Sequence, residues 1–262
     1  MATDIRSISQ VGTSEPFELQ VSRNQINAHQ GLLKFGSNSN VTNVEETIWD
    51  GSSSYSYLES ATVLKISSSS VADTSDGTGA RTVEVFGLDA NYLEINETVT
   101  LNGQTAVNTT NSFLRIFRII VRSAGSGGEN AGIVYAGTGA VSSGVPANVY
   151  AQVIAGENQT LMALYTVPAG KSLYINELNV TSGTETGTAF IITRLKVRPL
   201  GEVFQTKNKS SFNDGYIDIV YSYPFKVEEK SDIEITAICS KNQLNVVSGF
   251  FSGVLLQEQG PL

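Results

Sequence analysis

Apolar residues along this chain recur mainly at every second position, in short runs separated by breaks rich in Gly, Ser, Asn and Pro. Alternation with period two places successive side chains on opposite faces, which is the pattern of a strand with one buried side. Thr62-Val-Leu-Lys-Ile66, Arg81-Thr-Val-Glu-Val-Phe86 and Glu94 to Leu101 follow it, and so does Val246 to Leu256. Thr188 to Arg198 follows it most cleanly: Ala189, Ile191, Leu195 and Val197 point inward, while Arg194, Lys196 and Arg198 form a basic row on an exposed face. In Val246 to Leu256, Gly249 and Gly253 share a face, which predicts close approach of another backbone or a bulge.

The breaks carry turn chemistry. Asn102-Gly103 between alternating runs predicts a hairpin. Pro168-Ala-Gly170 predicts a second hairpin, joining Gln159–Val167 to Ser172–Thr181, because proline fixes φ and glycine accepts a positive one. The run from Phe113 to Arg122 is ambiguous, since Arg115, Arg118 and Arg122 fall at helical spacing. Its enrichment in Ile, Val and Phe and its glycine-rich end favour a strand, with Phe113, Phe117, Ile119, Val121 and Arg115 on one face.

These elements predict an all-β protein: two β-sandwich, jelly-roll-like regions preceded by an extended N-terminal arm. Residues 1–47 are the arm, with Phe17–Val21 as one short strand; residues 48–146 and 147–262 are the sandwiches. The boundary is set in the small, polar stretch from Gly137 to Pro146. The arm has too little apolar surface to fold alone and would order against a neighbour, through Ile5, Ile8, Phe17, Leu19, Ile26, Leu32, Leu33 and Phe35. Deleting residues 1–40 would then leave a folded protein that no longer assembles.

Composition narrows the function. Charged residues make up only 16% of the 262, against roughly a quarter in an average domain, and the net charge is −8. Direct nucleic-acid binding would need a basic surface and is not expected. The first residues lack an apolar core and no apolar run reaches the ~20 residues of a span, so neither a secretory signal nor a membrane partner is expected.

Reactive chemistry is scarce. His29, the one histidine, lies in the arm, and Cys239, the one cysteine, reads as a small buried hydrophobe. Gly170-Lys-Ser172 lacks the upstream glycine and the helix of a phosphate loop. Asp73, Asp76 and Asp89 with Asn91 match no calcium loop and read as turn caps, and Glu45-Glu46 and Glu228-Glu229 read as solvated corners. No catalytic, cofactor-binding or metal-binding residue is assigned. Tyr55, Tyr57, Tyr92, Tyr135 and Tyr150 could line a sugar site, but tyrosine suits half-buried strand positions and that reading is preferred.

One string of motifs adds to this. It comprises Ser68-Ser-Ser-Val-Ala-Asp-Thr-Ser-Asp-Gly-Thr-Gly-Ala-Arg-Thr-Val83, Phe86-Gly-Leu-Asp-Ala-Asn-Tyr92, Glu97-Thr-Val-Thr-Leu-Asn-Gly103 and Ser123-Ala-Gly-Ser-Gly-Gly128. Asn158-Gln-Thr-Leu-Met162, Tyr165-Thr-Val-Pro-Ala-Gly-Lys171 and Arg198-Pro-Leu-Gly-Glu-Val-Phe204 continue it. Together they resemble a family of virion structural proteins of tailed, especially aquatic, bacteriophages, from about Trp49 to Leu256 and loosely over Val21 to His29. The resemblance implies a non-enzymatic particle component made in the host bacterial cytoplasm. Its partners would be copies of itself, forming a homo-oligomer such as a trimer, and other virion proteins such as the capsid shell. Whether it is a capsid decoration or knob protein, a major shell protein or a tail piece is left open.

Overall fold

The computed structural model describes residues 15–184, 189–213, 215–241 and 245–258. The chain is all-β, as the alternation predicts. One short helix, α1 (Phe17–Ser22), occupies the stretch expected to be a strand; Phe17 packs edge-on against His29.

A jelly roll takes its strands from two separate stretches, residues 29–38 and 164–257. Its strands are β1 (His29–Asn38), β10 (Leu164–Thr166), β11 (Lys171–Thr184), β12 (Ile191–Arg198), β13 (Gln205–Phe212), β14 (Gly215–Val227), β15 (Asp232–Cys239) and β16 (Asn245–Gln257). They pair as first with last, second with seventh, third with sixth and fourth with fifth. That is a long antiparallel ladder rolled over on itself. The β11–β16 and β12–β15 ladders seal the roll into two sheets, β1-β16-β11-β14 and β10-β15-β12-β13. Between them lie Leu173, Ile175, Leu178, Val180, Phe251 and Leu255 from one sheet and Ile191, Leu195, Val197, Ile233, Ile235 and Cys239 from the other. Gly253 is required where β16 meets β11, because a Cβ there would collide with the Tyr174 carbonyl oxygen.

The other sandwich is an insertion between the first and second strands of that roll. It consists of β3 (Thr62–Ser68), β4 (Ala80–Leu88), β5 (Glu94–Thr100), β6 (Val107–Phe113), β7 (Arg115–Ala124), β8 (Val134–Ser142) and β9 (Val145–Val153). Sheets β6-β3-β8-β9 and β5-β4-β7 face each other over Leu64, Ile66, Val83, Val85, Phe113, Ile116, Ile119 and Val153. The chain enters through β2 (Glu46–Thr47), which pairs with β15, and leaves beside its point of entry. Asp50 N donates to Leu161 O (3.1 Å), Ala163 N to Ile48 O (2.9 Å), and Trp49 bridges to Met162. Gly36 of β1 lies against this crossing, where a Cβ would strike the backbone at Ile48 and Ala163.

Several expectations change. Residues 29–38 of the expected arm are not a separate segment: they form β1, an integral strand of the jelly roll, so a 1–40 deletion removes part of the core fold. Gly137–Pro146 is the turn region of the β8–β9 hairpin, not a boundary. Asn102-Gly103 and Pro168-Ala-Gly170 turn the chain, with Gly103 at φ 59° and Gly170 at φ 72°, but neither closes a hairpin. β5 and β6 lie in opposite sheets, as do β10 and β11, so both turns are corners between layers.

The Phe113–Arg122 run is extended but is not one strand: β6 ends at Phe113 and β7 begins at Arg115 in the opposite sheet, and a bulge opposite Phe86 and Gly87 breaks the β7 register. Ile116 and Ile119 therefore both face the inserted core, while Phe117 turns to pack against the jelly roll. Cys239 is buried at 1% exposure, and Trp49 at 4%. Among the described residues no helix is long and apolar enough to cross a membrane.

Candidate functional site

The junction between the two sandwiches is where charge gathers. β12 presents Arg194, Lys196 and Arg198 on the face opposite the core, as the alternation predicts, but that face is covered. On neighbouring β15, Asp232, Glu234 and Thr236 alternate with Ile233, Ile235 and Ala237 and so stand beside the basic row. The segment from Glu45 to Leu58 lies over both. Lys196 reaches Glu45 (3.5 Å) and Glu234 (3.4 Å), and Arg194 reaches Glu45 (3.3 Å). Glu45 is therefore no solvated corner.

Asp232 is the centre of the arrangement. Its side chain is 5% exposed and accepts from Arg115 Nε (2.8 Å) and Nη2 (3.1 Å), from Arg198 Nε (3.1 Å) and Nη2 (2.6 Å), and from Thr166 Oγ1 (2.6 Å). Arg115 comes from β7 of the insertion, Arg198 from the end of β12, so one carboxylate ties the two sandwiches together. Arg115 also donates to the carbonyls of Leu58 (2.8 Å) and Leu114 (2.9 Å). Bidentate guanidinium–carboxylate pairs fix direction as well as distance.

Aromatic rings enclose this ion cluster. The Tyr57 ring lies 5.1 Å from the Arg115 guanidinium and 4.5 Å from that of Arg198, while Phe204 lies 4.6 Å from Arg198. Tyr57 donates to Glu234 (3.3 Å), and burial pushes its hydroxyl pKa far above the usual value. Burial also raises the Glu234 carboxyl, and Lys196 opposes that rise. Above the cluster opens a cleft of about 910 Å³, whose wall includes Tyr92, Pro199, Glu202 and Lys230.

Two of the carboxylates expected to cap turns, Asp73 and Asp89, do so. Asp73 is fully buried and accepts from Ser68 Oγ (2.6 Å) and from the backbone N–H groups of Ala80 (2.7 Å), Ala131 (2.8 Å) and Gly132 (2.9 Å). Asp89 accepts from the N–H groups of Asn91 (2.8 Å) and Leu93 (2.9 Å). Oxygens so occupied are poorly placed to bind a cation. Asp50, at the crossing, accepts from Leu161 N (2.7 Å); burial raises its carboxyl to about 7 despite that bond, with Glu157 adding to the rise.

The residues expected to form an assembly face are scattered. Ile5 and Ile8 lie outside the described residues. Leu32 packs against the jelly-roll core, and Phe35 is half-buried at the crossing beneath Arg118. Ile26 is half-buried, while Phe17, Leu19 and Leu33 are exposed. Sequence reasoning weighed Glu45-Glu46 and Glu228-Glu229 as the candidate acid pairs and passed over the Asp232–Glu234 row. The signal was available: two acids alternating with two isoleucines, and three bases alternating with apolar residues on another strand.

No protein-family model and no curated protein matches the chain. Among solved structures, it overlaps with a chain of the infectious bursal disease virus Gx strain at 10% identity and a TM-score of 0.24, over 89% of this chain and 73% of that one. A chain of the Gt strain overlaps at 11% identity and a TM-score of 0.22, over 93% and 78%. Overlaps this weak decide neither fold nor function.

Proposed function

We propose that this chain is a non-enzymatic structural component of a virus particle, a homo-oligomeric capsid decoration or knob protein of the tailed-bacteriophage kind that its motifs resemble. The observation that carries the reading is the Arg115–Asp232–Arg198 clamp, which makes a jelly roll and its insertion one stiff block. A subunit repeated over a shell needs such fixed geometry between its docking part and its projecting part. Jelly rolls serve lectins and other proteins too, so the strand order supports the reading without deciding it. The junction acids also favour it, since a catalytic carboxylate needs space for a substrate or water. Asp232 and Glu234 are instead held by Arg115, Arg198, Lys196 and Tyr57.

Copies would join through β14, an edge strand of the jelly roll, whose Tyr216, Val220 and Tyr223 are 71%, 70% and 89% exposed. A specific contact there would bury roughly 1,200–2,000 Å². Electron microscopy of the particle tests the proposal: the expected image has copies seated by the jelly roll with the insertion outward. Particles lacking this chain, together with a purified protein that stays monomeric at every concentration, would refute it. A glycan-binding reading draws on the cleft beside Tyr57, Tyr92 and Phe204. Saturable glycan-array binding, abolished by Tyr92→Ala, would favour that reading instead.

A further inference from the structure

A second cleft, of about 560 Å³, lies between β1 and β7, and its charged lining is Lys34, Arg118, Arg122 and Glu94. Arg122 donates to Glu84 (2.6 Å), and Glu94 is tied to Lys171. Those contacts use the nearby carboxylates and leave two cations. Lys34 is only 4% exposed, and its ammonium donates to the Phe117 carbonyl oxygen, a neutral partner. The Arg118 guanidinium lies 5.9 Å from the Phe35 ring. Neither cation has a carboxylate partner among the described residues, and the Arg118 guanidinium makes no hydrogen bond among them.

A buried ammonium without a counter-charge is unfavourable, and a second cation beside it makes matters worse. Burial and the Arg118 charge push Lys34 well below its ordinary pKa, and burial lowers Arg118. The remaining polar lining, Gln30 and the Tyr165 hydroxyl, adds no compensating charge at neutral pH. The cleft therefore offers spare N–H donors, positive charge and space, with apolar walls from Leu32, Phe117 and Ile120.

We infer that this cleft binds an oxyanion, a phosphate- or carboxylate-type group held between the Lys34 ammonium and the Arg118 guanidinium. The planar guanidinium suits two oxygens at once, and the ammonium acts as a compact charge beside it. The group can be free in solution or carried on an acidic side chain of a neighbouring copy. The inference stands independently of the proposed role in a particle.

The test follows thermal unfolding of the full chain in chloride and in inorganic phosphate at matched pH and ionic strength, with sedimentation in parallel. Wild type should gain a saturable rise in Tm of about 2–4 °C in phosphate. Lys34→Met and Arg118→Gln should both lose it. Lys34→Met is shorter by the terminal nitrogen but fills the space of the aliphatic stem and removes the unmatched charge, so it should fold at least as well as wild type in chloride, and loss of the response cannot be blamed on misfolding. Were the group a neighbour's carboxylate, phosphate would leave the Tm unchanged and both variants would dissociate at concentrations where wild type stays associated, which also supports the site. Wild type and both variants behaving alike in unfolding and in sedimentation would overturn it.

Discussion

The two clefts at the junction hold the same kinds of cation and differ in what answers them. In the larger, Arg115 and Arg198 converge on Asp232, which lies on a strand beside Arg198 and across the junction from Arg115. In the smaller, Lys34 and Arg118 meet a backbone carbonyl and an aromatic ring. The first arrangement is closed: each of its cations has a carboxylate partner within the chain, and the shared partner adds rigidity. The second is open, with positive charge that the described residues do not match. The difference shows how burial alone fails to identify a site; what matters is whether the buried charge has already found its opposite.

The comparison can be broken from either side. The severest test removes residues 1–40, which takes away Lys34 together with all of β1. Because β1 pairs along its whole length with β16, the truncated protein should lose its cooperative unfolding transition in calorimetry. Removing residues 1–14 spares β1 and should leave that transition in place, so only this shorter deletion can examine an assembly role for the N-terminus. Asp232→Ala should make the closed cleft resemble the open one by stranding two guanidinium groups. The expected loss is about 3–5 kcal/mol, read from the denaturant midpoint.

Asp50 sharpens the contrast from the acid side, as a carboxylate whose burial outweighs its hydrogen bond. Its folded pKa, about 7, lies above the ordinary 3.8, so the folded protein holds that proton more tightly than the unfolded chain. The associated stability is complete below the ordinary value and is lost as pH rises through about 7. Asp50→Asn should therefore flatten the decline of Tm between those two values. Tyr57→Phe should have the smallest effect: it keeps the ring between Arg115 and Arg198 but removes the bond to Glu234, a loss of about 1 kcal/mol.

Local features were legible in the sequence and long-range ones were not. Ala189, Ile191, Leu195 and Val197 fall inward because alternation depends only on the pleat of one strand. Asn102-Gly103 and Pro168-Ala-Gly170 were recognisable as turns, since φ preferences are local. Which sheet receives the next strand depends on partners far away, and for β1 the partner is the last strand of the roll. The basic row of β12 was visible, but its environment was not, because Glu45 and Asp232 come from distant parts of the chain. Lys34 was passed over as one polar residue in a supposed arm; only pairing of β1 brings it against β7.

Placement of the insertion also bears on how the protein is made. As the polypeptide leaves the ribosome, the inserted sandwich has all its strands available while most of the jelly roll is still unsynthesised. β1 emerges early yet must wait for β16, near the C-terminal end, before its ladder can form. Contacts of such long sequence separation slow folding and leave strand edges open meanwhile. A domain that folds early and keeps the two ends of its own segment side by side, at Ile48 and Ala163, shortens the loop which that final pairing must close.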